Sequence, residues 1–246
     1  MSVNVRVEKS LEFVTGAATR QANVIGPLQE KKKHFQDHFT DDDLDTFRWA
    51  VSVPGSSDSI AISEVAGGEC LITTGTVDDD SCMIAGAIIW NGSKNATCAA
   101  RITIDDVSGT GLFVGFSDAK SESNNSIAVH YPADVLTTVA STAVGFVIDA
   151  DHATSSIMCA TVNGDTDGTP VDTGVDWADG ETRDLRVSID TAGKAIFYIN
   201  GAPVAQVASA VTAATLLCFT VQAITRANDG ANTVQFRRLD VWGDET

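Results

Sequence analysis

Apolar and polar residues alternate with a period of two along most of this chain. In residues 184–204, Leu185, Val187 and Ile189 alternate with Arg186, Ser188 and Asp190, the pattern of a half-buried strand. Residues 191–194 break the run, 195–199 resume it, and Asn200-Gly201 ends it. Asn-Gly tolerates the positive φ angles of a type I′ turn, whose twist suits the strands it joins. A tight antiparallel meander follows from this stretch. Further strand signals fall at 46–53, 60–65, 70–76, 81–90, 97–105, 112–117, 126–131, 144–149, 157–162, 216–223 and 233–241. Residues 216–223 are apolar at both parities, as in a central strand. In the last run Val234 and Phe236 share one parity and Leu239 and Val241 the other, so a bulge near Arg237-Arg238 is expected. Many short strands divided by turn residues predict an all-β, antiparallel sandwich.

Composition changes this picture little, but charge divides the chain. Residues 1–38 hold six Lys/Arg against four acids, about +2; the whole chain carries −17, leaving about −19 for residues 39–246. The reading is therefore an extended N-terminal arm, 1–38, and a sandwich body, 39–246. In the arm Val3, Val5 and Val7 alternate with polar residues, a short strand able to add to a sheet edge. Residues 28–39 read as a short helix bearing Lys31, Lys32 and Lys33, a charge contact for an acidic neighbour. The overall acidity argues against nucleic acid as a partner, since that binding needs Lys and Arg to displace counterions. No apolar run has membrane-spanning length, so no membrane is expected. Charges in residues 1–14 do not fit a secretory signal, and synthesis in a cytoplasm is expected. The five cysteines are odd in number and irregular in spacing, and read as free buried thiols.

Three groups of residues invite a chemical reading. Asn163, Asp165 and Asp167, with Asp172 in place of the usual distal Glu, resemble the first half of a calcium loop; the same residues also serve an ordinary Asx- and Gly-rich turn. Apart from that calcium reading no cofactor is expected. Trp90 and Trp177 border loops and are the candidates for stacking on a sugar ring, or alternatively for capping the sandwich. Asp149, Asp151 and His152 cluster where a strand enters a turn. His34 and His38 lack a third ligand placed by sequence and read as surface residues.

Phe47-Arg48-Trp49, GLFVGFSD at 111–118, VGFVIDAD at 144–151, AIFYING at 195–201 and VQFRRLDVW at 234–242 occur in an order that resembles the concanavalin A-like (laminin-G/glucanase-type) jelly-roll superfamily, in the form found among tailed-phage structural proteins. That resemblance implies two curved antiparallel sheets packed face to face. Its glucanase-type members carry paired carboxylates in a Glu-x-Asp-x-x-Glu motif, which this sequence lacks, so no enzyme is expected. The function so implied is a non-enzymatic virion protein, a capsid decoration (cement) protein on the outer surface of a phage head. Its expected partners are the major capsid protein and sister subunits in a homo-oligomer. The alternative is a carbohydrate-binding, lectin-like module, as on a tail or fibre.

Overall fold

The structure is a computed structural model and describes residues 32–55, 57–119, 127–226 and 230–244. In chain order its strands are β1 (Lys32–Asp37), β2 (Ala50–Ser52), β3 (Ser59–Ser63), β4 (Glu69–Thr73), β5 (Ser81–Ala85), β6 (Thr97–Ile104), β7 (Thr110–Ser117), β8 (Val129–His130) and β9 (Thr137–Thr138). They continue as β10 (Thr142–Asp149), β11 (Ser156–Asn163), β12 (Val171–Asp176), β13 (Thr182–Ile189), β14 (Ala195–Ile199), β15 (Ala202–Val207), β16 (Cys218–Thr225) and β17 (Thr233–Asp244). An eight-stranded sheet runs β15-β14-β13-β6-β17-β4-β3, with β1 also on β17, and a seven-stranded sheet runs β12-β11-β10-β7-β16-β5-β2. All pairings are antiparallel. This is a jelly-roll β-sandwich of the concanavalin A-like type.

Alternation explains the stacking. Cys98, Ala100, Ile102 and Ile104 of β6 and Leu185, Val187 and Ile189 of β13 face inward to meet Leu112, Val114 and Phe116 of β7 and Phe146 and Ile148 of β10. Phe146 and Phe197 join the two sheets edge to face at 5.4 Å, an arrangement that adds to the area each ring buries. β16 is buried along its whole length between β7 and β5, as its apolar pattern predicts. The β14–β15 hairpin turns on Asn200 and Gly201 with φ of 51° and 83°, the two positive angles the sequence demands. In β17 the register shifts between Phe236 and Arg238, so the expected bulge is present. It divides the strand: β4 pairs with residues 233–236 and β1 with 239–244.

Some expectations change. The helix expected over 28–39 is a strand across its described part, β1. A helix would place Phe35 and Phe39 on one exposed face. As a strand, the chain completes the β17 edge, packs Phe35 against Trp49 at 5.2 Å and buries Phe39. Residues 32–37, grouped with the arm by charge, are thus part of the body's own sheet. The strand expected over 46–53 shrinks to β2, because Asp45 turns the chain, accepting the Phe47 amide at 3.0 Å. β12 was not expected; it is an edge strand with only every other residue half-buried. All five cysteines are buried, and burial pushes the Cys70, Cys82 and Cys159 thiols up to about 12.

Candidate functional site

The outer face of the seven-stranded sheet is closed by the chain itself. Phe113, Val147, Met158, Ala160, Val162 and Ile224 point away from the central core yet are buried under residues 127–140, chiefly Ile127, Val129, Tyr131 and Leu136. Two polar clamps hold this cover. The Ala128 amide donates to Gln222 Oε1, and Gln222 is fully buried. At the end of β16, Arg226 donates through Nε and Nη2 to both oxygens of Asp149, each at 2.9 Å. The same carboxylate accepts the Tyr131 amide at 2.9 Å and the Asp151 amide at 3.2 Å. Arg226 also meets Asp79 and His130 Nδ1. Burial, with Arg226 beside it, lowers the His130 imidazole from its usual value, and burial raises the Asp151 carboxyl. Both Asp149 oxygens are thus committed to this clamp.

Lys33 and Trp90, singled out separately in the sequence, come together. Lys33 Nζ lies 5.7 Å from the Trp90 ring centroid, within cation–π range. Both line a cleft of about 300 Å³ with Phe35, Phe47, Trp49 and Arg48. Trp90 itself is only 4% exposed, and Trp177 only 3%, its Nε1 donating to the Glu181 carbonyl at 2.7 Å. Both indoles therefore cap the sandwich, and neither offers a ring face for sugar stacking. The calcium loop is likewise not assembled. Asn163 Oδ1 accepts the Thr212 amide at 2.9 Å, Asp167 accepts Thr138 Oγ1 at 2.9 Å, and Asp172 accepts the Gly174 amide at 2.8 Å. Asp165 sits in a turn with φ 60°. These oxygens are spent on turn and loop geometry, and among the described residues no three His, Cys, Asp or Glu side chains converge on a metal position. Lys32 opens β1 opposite Asp244. Val3, Val5, Val7 and Lys31 lie outside the described residues.

The outer face of the eight-stranded sheet is open and differently built. Register places Gln36, Asp240, Ala99, Arg186 and Tyr198 in one row across β1, β17, β6, β13 and β14. A second row runs His34, Trp242, Thr97, Ser188 and Ile196, and a third holds Arg238, Arg101 and Asp184. The small Ala99 leaves a hollow of about 550 Å³, walled by Arg101, Arg186, Asp184, Asn200, Arg238 and Trp242, with Arg237 and His38 at its margin. Arg186 lies over Tyr198, guanidinium carbon 3.8 Å from the ring centroid, and its Nε is buried without a hydrogen-bond partner. Arg101 meets Asp184 at 3.4 Å, Arg237 meets Glu69 at 2.8 Å, and Arg238 meets Asp240. Glu69 and Asp240 are beneath the surface, with side chains 6% and 1% exposed, whereas the three arginines they and Asp184 hold are all more than half exposed. Chemically this is a shallow site with guanidinium donors, one surface carboxylate, an amide and an indole wall.

No family model and no curated protein matches this sequence. Solved structures match its fold. The Emp47p carbohydrate recognition domain superposes with a TM-score of 0.58 at 13% identity over 87% of this chain and 97% of its own. LamAcat from Zobellia galactanivorans gives 0.59 at 11% identity over 88% and 99%. A protein of unknown function from Shewanella oneidensis MR-1 gives 0.54 at 8% identity over 96% and 97%. The chain also matches a sialidase, of which it spans 18%. At these identities the likeness is one of fold.

Proposed function

We propose that this chain is a non-enzymatic carbohydrate-binding, lectin-like module whose ligand lies on the outer face of the eight-stranded sheet. The observation that carries this reading is the open hollow over Ala99. Sugars present hydroxyls with apolar ring faces between them, so their sites combine donors, acceptors and an aromatic wall. Arg186, Arg101, Asp184, Asn200 and Trp242 supply that mixture in one place. Asp184 is the one acidic residue lining the hollow among the described residues, whereas glycoside hydrolysis uses a pair. The fold shared with a carbohydrate recognition domain is consistent with the reading. On a glycan array the wild-type chain should bind a restricted set of glycans, and Ala99→Trp, which fills the hollow, should abolish that binding without lowering the melting temperature. Full binding by Ala99→Trp would move the ligand off this face.

A second reading, the capsid decoration protein, is favoured by the exposed apolar pair Phe47 and Ile89, which are 102% and 44% exposed and flank the Trp90 cleft. Contacts with a coat protein or sister subunit would cover them. Quantitative mass spectrometry of purified virus particles tests it: copy numbers near those of the main coat protein support the shell role, and absence from particles removes it.

A further inference from the structure

We propose that the glycan taken by the Ala99 hollow is anionic, carrying carboxylate or sulfate groups along its chain. The proposal deepens the carbohydrate-binding reading and rests on it. Ten Lys and Arg residues follow position 38, and four of them, Arg101, Arg186, Arg237 and Arg238, gather around this one hollow. They come from three strands that are far apart in sequence and are joined only by the β13-β6-β17 pairing. Guanidinium groups donate and never accept, so the ligand must bring the acceptors. Arg186 lines the hollow, and its Nε is buried without a hydrogen-bond partner, so this guanidinium is not fully satisfied within the protein. It lies over Tyr198, and its planar fork matches the paired oxygens of a carboxylate or sulfate. No lysine lines the hollow.

The supporting carboxylates strengthen the inference. Glu69 and Asp240 hold Arg237 and Arg238 from below, which orients these groups while leaving more than half of each arginine in solvent. Among the described residues that line the hollow, Asp184, 56% exposed, is the one acidic side chain. Around this island the body carries its net negative charge, about −19 by residue count, which repels a polyanion from other surfaces and confines it to this one. A sheet face about five strands wide also suits an extended polymer better than a compact ion.

Affinity electrophoresis and calorimetry of the full chain with two matched pairs of probes test this: dextran sulfate against dextran, and polygalacturonate against its fully methyl-esterified form. The expected result is binding to at least one charged member, weakening with salt, with no binding to its neutral partner; which member binds distinguishes sulfate from carboxylate recognition. Arg186→Gln should weaken that binding about tenfold or more, Ala99→Trp should abolish it, and Arg48→Gln, outside the hollow, should leave it within about twofold. Equal binding of a neutral partner overturns the anionic inference and leaves the carbohydrate-binding reading in place. Glycan-array binding lost in Ala99→Trp, without binding to either polyanion, does the same. Binding to no glycan on the array and to none of these probes overturns both. Equal or tighter binding to poly(dT), or an equal loss in Arg48→Gln, shows non-specific charge attraction and overturns the assignment of the site.

Discussion

The two sheets each turn one face to the common core, and their other faces have opposite fates. On the seven-stranded sheet the second face is apolar, with Phe113, Val147, Met158 and Ala160 sealed beneath residues 127–140. On the eight-stranded sheet it is polar and open, with arginines spread around Ala99. The difference is written in the strands. β10, β11 and β16 are buried at nearly every position, whereas β13 and β14 alternate buried and half-exposed residues. Strands apolar at both parities mark the sheet the chain covers for itself, and alternating strands mark the sheet whose outer face stays open to solvent.

Substitutions can break this contrast, and the largest effects belong to the sealed side. Arg226→Ala leaves Asp149 buried without its counter-charge and should cost about 3–5 kcal/mol in urea unfolding. Met158→Ala, under the cover, should cost about 2–5 kcal/mol. A pH effect comes next. The His130 imidazole is held below its usual 6.5 by burial and by Arg226, against opposing pulls from Asp149 and Asp79. The folded state thus favours the neutral ring, while the unfolded chain takes up a proton as pH falls through about 6.5. This group's contribution should be fully present above that pH and decline below it, down to the folded value. His130→Gln should flatten the decline in melting temperature between pH 7 and pH 5; an unchanged slope would remove His130 from the account. On the open face Arg101→Gln breaks only an exposed ion pair and should change stability by no more than about 1 kcal/mol. A large loss there would mean that the arginines hold the fold rather than a ligand.

How far the sequence reveals this depends on how local each feature is. The meander β13–β14–β15, its Asn200-Gly201 turn and the β17 bulge are legible because each follows from neighbouring residues. β12 is not, since Asp172, Thr173 and Gly174 give an edge strand the polarity of a loop. β1 is misread as helix because Phe35 and Phe39, spaced by four, mimic a helical face. The arginine hollow was missed altogether. Its residues lie on strands whose order, β13-β6-β17, no single segment records, and the one sign in the sequence is that Arg101, Arg186 and Arg238 occupy outward positions of alternating strands. Arg226 escapes for the same reason, since its partner Asp149 is 77 residues away.

Amide chemical-shift mapping of this 25.8 kDa chain with a bound charged polysaccharide tests the central claim most directly. Shifts concentrated at Ala99, Arg101, Arg186, Tyr198 and Trp242, with Phe113, Val147 and Ala160 unmoved, are the predicted result. Shifts centred on the covered sheet, or on the Trp90 cleft, would contradict it.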